Sequence, residues 1–406
     1  MKILTALTSL ALVFPAAAKA DAHRYVLTDT ASGTHVESFT LTAADLGITD
    51  AEFTVRKYTL HGGKQEGVDI VEVDNGQLTF SVIPTRGMSI YKVKSGDVTL
   101  GWNSPVKEVV NPAFITLEDN GGLGWLDGFN EMMVRCGYNW AGHPGDDDGR
   151  LMTLHGRAGN IPASIVEIRI DKEAPYRIRV RGQVNEKTFK FLDYQAWTEI
   201  STEPGSSAFS LDDTITNLSD YEREMQIIYH GNFGDPLLEK GAEFVAPVKQ
   251  VVPFDASAAV DLKGWTTYLG PTVGYGERVY NVTPFGDKKG MTTVMLQNAA
   301  ADRGVSLSYD LAQLPAFSLW KNTDTKRDGY VTGLEPGTGF AYTRATERKH
   351  GRVPKLKGGE SRRFQLTYEI LLSKDDVAGT TKAIKAIQGK RKTTVIAEPI
   401  PIPETE

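Results

Sequence analysis

The stretch Arg177-Ile178-Arg179-Val180-Arg181-Gly182-Gln183-Val184 sets the fold class. Ile178, Val180 and Val184 fall on one side of a two-residue repeat, with three arginines on the other. Side chains alternate across a strand, so this is a strand with one face in a core and one in water. The pattern recurs in Val166, Ile168 and Ile170 against Glu167, Arg169 and Asp171. It recurs again in Phe364, Leu366, Tyr368 and Ile370 against Arg363, Gln365, Thr367 and Glu369. From about residue 25 to 372 the chain reads mostly this way, which predicts an all-β protein of antiparallel sheets packed on one face. The 40 glycines, some paired as in Gly62-Gly63 and Gly121-Gly122, supply the turns. So many short strands favour two large stacked sheets over a small barrel.

The ends of the chain read differently. Lys2, an apolar run from Ile3 to Phe14 and Ala18-Lys19-Ala20 have the layout of a secretory leader, too short to span a bilayer comfortably. The division expected is 1–20 signal peptide, 21–375 β domain and 376–406 helix and Pro-rich tail. Ser373 caps that short C-terminal helix, Asp375 and Asp376 sit in its first turn, and AEPIPIPETE follows as an extended tail. The mature chain is then exported, periplasmic or secreted, with no membrane insertion. Its single cysteine, Cys136, forms no internal disulfide, and a chain this long buries a core without one. Loss of Lys2 and Lys19 takes the net charge from −6 to −8, which argues against nucleic acid as a partner and favours a small ligand.

The motifs of several enzyme classes are missing. There is no Gly-x-Ser-x-Gly elbow, no P-loop and no His-Glu-x-x-His helix. Gly122-Leu123-Gly124-Trp125-Leu126-Asp127-Gly128 lacks dinucleotide-loop spacing and is expected to be structural. Asp146-Asp147-Asp148 lacks the spaced ligands of a calcium loop and reads as a solvated turn. No metal and no cofactor is implied.

Of the seven histidines, His155 and His230 each follow apolar residues and precede a glycine, where a backbone bends at a strand end. His61 and His143, in glycine-rich turns, are candidates to line a cleft. Glu335 lies between Leu334 and Pro336, where desolvation raises a carboxyl pKa towards neutrality.

Together with Pro84-Thr85-Arg86-Gly87-Met88, the segments GWLDGFNEMMVRCG, LHGRAGN, YHGNFGDPLL and GLEPGT form a pattern. On them the chain resembles the aldose 1-epimerase (galactose mutarotase-like) superfamily, closest to a bacterial epimerase-like branch, from about Leu60 to Leu372. The resemblance implies a large antiparallel β-supersandwich whose concave face binds a sugar. It implies that Glu335 takes the proton of the anomeric hydroxyl, that His230 protonates the ring oxygen, and that His155 contacts sugar oxygens. The sequence departs from the family in Arg157 within LHGRAGN and in Gly231-Asn232 after the histidine. The substrate-binding aspartate has three nominees, Asp127, Asp235 and Asp328. Arg86, Arg135 and Arg157 suggest a cationic pocket and so an acidic or modified sugar. Asn232 and Trp320 complete the expected binding residues, with Trp102 and Trp125 read first as core aromatics. Two other readings share the fold class: a non-catalytic carbohydrate-binding protein and a polysaccharide lyase-like enzyme.

Overall fold

The computed structural model describes residues 21–401; the leader assigned to 1–20 and the last residues of the tail lie outside the described residues. A ten-stranded and a thirteen-stranded sheet enclose one hydrophobic core. The strand Ile178–Thr188 lies in the ten-stranded sheet between Ile165–Asp171 and Leu192–Thr202. Ile178, Val180 and Val184 are buried as the alternation predicts. The arginines on the other face form a ladder: Glu167 stands opposite Arg181, and Arg181 opposite Glu199, with contacts of 2.8 and 3.0 Å. Glu167 is buried beneath its arginines, whereas Arg181 and Glu199 keep some contact with water. Register is set by the buried face, because a one-residue slip would turn Ile178, Val180 and Val184 out of the core.

Five strands lie side by side in the middle of the larger sheet: β1 (Met133–Tyr138), β2 (Gln226–Phe233), β3 (Arg278–Pro284), β4 (Ala316–Thr323) and β5 (Tyr330–Gly337). Their order across the sheet is β1-β2-β5-β4-β3, every neighbour antiparallel. Every residue of β1, β2 and β5 is buried. The alternation fails in these strands because both faces are covered. Ile227, Tyr229 and Leu334 face the core between the sheets, whereas Val134, Cys136 and Ile228 face a second apolar cluster with Trp125, Phe129 and Leu154. The long segments on either side of β1 supply Trp102, Trp125, Phe129, Ala141 and Leu154 to that second cluster, and Phe254, Ala341 and Tyr342 join from elsewhere in the chain.

One buried ion pair joins the two sheets beneath these strands. The Arg135 guanidinium donates from Nε and Nη2 to Asp213 at 2.5 and 3.0 Å, and from Nη1 to the Met88 carbonyl at 2.8 Å. Asp213 belongs to the strand Ala208–Asn217 of the opposite sheet, and the Tyr229 hydroxyl donates to it at 2.8 Å. Arg135 and Tyr229 are register partners on β1 and β2. This corrects the expectation that Arg135 lines a sugar pocket: it points between the sheets, away from the face that carries His230.

The helix α1 (Lys374–Gln388) starts at Ser373, whose hydroxyl accepts from the Asp376 N–H at 3.2 Å. Its Val377 and Ile384 pack on Met295 and Leu371. The segment after it is not a free tail: Thr394–Val395 pairs parallel with Val248–Pro253 at the sheet edge, and Ile400 packs against the second apolar cluster.

Removing one partner of a fully buried ion pair leaves a bare charge and costs about 3–5 kcal/mol. Asp213→Ala is therefore expected to lower the urea midpoint sharply at unchanged slope. The double variant Arg135→Met/Asp213→Leu recovers most of the loss.

Candidate active site

The register of β2 and β5 places the site. Ile228 pairs with Gly337 and Gly231 with Leu334, so His230 stands opposite Glu335 on the outer face. His230 Nε2 lies 3.3 Å from Glu335 Oε1, and the two side chains are 6% and 3% exposed. Burial pushes the Glu335 carboxyl well above the usual carboxylate range, and the nearby Glu277 carboxylate adds to the shift. Burial likewise pushes His230 down, to about 4. Gly333 precedes Glu335 by two residues on the same face, and a Cβ there would sit 2.2 Å from Glu335 Oε1. The glycine in GLEPG is the space into which the carboxyl folds.

Behind His230 stands Asn232, fully buried. Its Oδ1 is 2.8 Å from His230 Nδ1, and its Nδ2 donates to the Glu131 carbonyl at 3.0 Å and the His230 carbonyl at 3.3 Å. The Glu131 carboxylate accepts from Arg86 Nε at 2.8 Å, and Arg86 Nη1 donates to the Val110 carbonyl at 2.9 Å. Arg86 is thus buried against Glu131 and does not face a ligand. Asn232 likewise holds the histidine and does not line the cavity.

His155 approaches from the covering segment. Its φ of 58° is left-handed, a conformation that costs a non-glycine residue about 1–3 kcal/mol and collects at functional sites. Two backbone hydrogen bonds hold it there, His155 N to the Gly142 carbonyl at 2.8 Å and Gly137 N to the His155 carbonyl at 3.0 Å. A Cβ at Gly156 would lie 2.2 Å from the Trp140 carbonyl oxygen, which is why glycine follows this histidine. The ring meets Trp125 edge-on at 4.8 Å and His230 at 5.1 Å. Burial first, and then His230 and His143, hold its pKa well below the ordinary histidine value.

These groups open on a cavity of about 220 Å³. Trp125, Phe129 and Trp320 are its aromatic walls, and Leu123, Leu126 and Val279 add aliphatic surface. Its polar atoms come from His143, His155, His230, Glu277 and Glu335, with no lysine or arginine among the described lining residues. The volume is below the roughly 300–1,000 Å³ of pockets for drug-sized ligands, so the site suits a small one. Trp320 Nε1 donates to Glu277 at 2.9 Å, which fixes the indole plane along one wall.

The structure thus brings together Glu335, His230, His155 and Trp320 around one cavity, with Asn232 directly behind. It leaves the other nominees outside. Arg157 pairs with Glu118 at 3.8 Å and lies over the Trp140 ring. Asp127 is exposed on the short helix Gly124–Gly128. Asp235 pairs with Lys326, and Asp328 accepts from Thr325. The three arginines read as a cationic pocket are each satisfied elsewhere, two of them by buried carboxylates. Trp125, read first as core, is both: 1% exposed and a cavity wall. Phe129 and Glu277 were not legible as site residues. Phe129 lies inside the GWLDGFN segment, but Glu277 sits in an ordinary Tyr-Gly-Glu-Arg run with no local signal.

Residues 65–370 match the family described as a domain of unknown function, DUF4432. A crystal structure from Klebsiella pneumoniae, provisionally named an aldose 1-epimerase, is 48% identical over 94% of this chain and 100% of its own, with a TM-score of 0.93. A galactose mutarotase-like protein from Clostridium acetobutylicum shares the fold alone, at a TM-score of 0.52 and 13% identity over 79% of this chain and 98% of its own. No curated protein matches the sequence.

Gly333→Ala tests the packing of the acid. The atom in the way is the end of a flexible side chain, so the fold is expected to survive with a loss of about 1–3 kcal/mol. A crystal structure of the variant is expected to show the Glu335 carboxyl displaced from His230; an unchanged separation would show that the glycine is not required.

Proposed function

We propose, from the premise that this chain belongs to the DUF4432 family within the aldose 1-epimerase/galactose mutarotase-like group, that it interconverts the anomers of a small uncharged sugar. One observation carries the reading: a carboxyl and an imidazole, 3.3 Å apart on adjacent strands, share the floor of an aromatic cavity. Anomer exchange needs a proton removed from one oxygen of the anomeric carbon and a proton delivered to the other. A paired acid and base held on rigid strands supplies both, and the reverse transfers close the ring and reset the pair. The aromatic walls suit the apolar face of a sugar ring, and His155 and His143 offer polar atoms to its hydroxyls.

The cavity does not favour the acidic sugar expected from the arginines. A sugar carboxylate would enter a space with no cationic side chain and with Glu277 on its wall, so its desolvation would go uncompensated. The leader-like N-terminus supports export, and the substrate is then a free sugar met outside the cytoplasm.

Anomer exchange followed by NMR on freshly dissolved sugars tests this. Exchange of neutral hexoses or deoxyhexoses above the spontaneous rate is expected, with little on uronic acids. Glu335→Gln is expected to reduce it by about 10²–10⁴-fold. Because burial holds His230 down to about 4, the step in the pH–rate profile that belongs to this ring is expected near pH 4. An exposed histidine would place that step at ~6.5. Binding without exchange would indicate a carbohydrate-binding protein instead.

A further inference from the structure

We infer that Glu186, buried on the opposite sheet, is a positioning residue for the site: it latches the backbone turn that holds His155 at the cavity wall. This rests on the mutarotase reading for what His155 touches, but the latch itself is a property of the ligand-free protein.

The strand Ile178–Thr188 carries the signal. Its inward positions run Ile178, Val180, Gly182, Val184 and Glu186, and the first four have no polar side chain. The series ends on a carboxyl group that is only 3% exposed. A buried acid is costly unless it is hydrogen-bonded, so one in a core series points to a task that an apolar side chain cannot do. No lysine or arginine pairs with Glu186 among the described residues, and its Oε1 has no hydrogen-bond partner. Its hydrogen bonds run through Oε2 to one place. The Tyr138 and Asn139 N–H groups donate to it at 2.9 and 3.0 Å. Burial raises its pKa, and those two donors, with the more distant Arg157 and Arg150, oppose the rise.

Tyr138 ends β1 and Asn139 follows it, so the acid clips the end of β1 to the second sheet. Gly137, the residue before them, holds the His155 loop from both sides. Its N–H donates to the His155 carbonyl and its carbonyl accepts from the Arg157 N–H, each at 3.0 Å. Pairing with Ile227 and Gln226 of β2 fixes Gly137 and Tyr138 within the larger sheet, and Glu186 fixes the turn after them against the smaller one. The left-handed backbone of His155 persists only where its surroundings over-determine it. The contacts that do so run from Glu186 through Tyr138 and Gly137 to His155. Glu186 does not line the cavity and acts through His155, which does.

A conservative variant separates a latch from a filler. Glu186→Gln keeps an oxygen that accepts from both N–H groups, whereas Glu186→Leu fills the space and leaves two buried donors unpaired. In the ligand-free proteins, the His155 ring signal in carbon-13 NMR, assigned with His155→Gln, is expected to stay in place in Glu186→Gln and to shift in Glu186→Leu. An unshifted signal in Glu186→Leu would overturn the inference. Hydrogen exchange on Glu186→Gln gives a second reading that does not need the leucine variant to fold. Its neutral acceptor is weaker, so exchange is expected to quicken at Tyr138 and Asn139 and also at Gly137, whose N–H bonds His155. Quickening at the first two alone would show that the latch does not reach His155.

With a sugar that exchanges, Glu186→Leu is expected to raise KM about tenfold and to change kcat by less than about twofold, with Glu186→Gln close to wild type. A lowered urea midpoint with KM unchanged would make Glu186 a purely structural residue and refute the role. The expected NMR shift without anomer exchange on any sugar would support the latch and refute the mutarotase reading.

Discussion

The buried pair of Arg135 and Asp213 is the constraint on which the site depends. It crosses from β1 to the opposite sheet, takes in the Tyr229 hydroxyl on β2, and is sealed from water on every side. A buried ion pair contributes little net stability beyond what apolar residues of the same shape would give, but it is intolerant of misalignment. It therefore fixes where β1 and β2 lie relative to the second sheet. The residues next to its members, Val134 and His230, are turned by the two-residue repeat onto the outer face, so the same constraint sets the height and angle of the histidine.

Burial of β1, β2 and β5 on both faces has a chemical consequence. Two titratable groups are held where water cannot stabilise their charges, so His230 is driven towards its neutral form and Glu335 towards its protonated one. Each shift alone would only weaken a group. Across a strand pair, both shifts oppose a buried charge beside the cavity. The cavity needs no fixed charge of its own, which agrees with the absence of lysine and arginine from its described walls.

Much of this was legible in the sequence. Strands such as Ile178–Thr188, wetted on one face, announce themselves by alternation. So do the cap at Ser373 and the glycines that follow the two site histidines. The arginines were misleading for a physical reason. A guanidinium in a strand pairs equally well with a ligand carboxylate or with a protein carboxylate far away in the chain, and residue type alone does not tell which. Arg86 and Glu131 are 45 residues apart, Arg135 and Asp213 are 78 apart, and no local pattern marks either pair. Glu277 was invisible for the same reason: it reaches the cavity only because β3 lies beside β4.

The sequence by itself determined the fold class, the strand-borne His230 and Glu335, and the glycines that give the site residues room, because those depend on local periodicity and backbone sterics. Only the tertiary structure decided which polar groups face one another. It set His230 against Glu335 through register, turned Asn232 behind the ring, and sent Arg86 and Arg135 to buried carboxylates. Pairing across sheets is a property of distance in space, and the chain encodes that distance only through the whole of its packing.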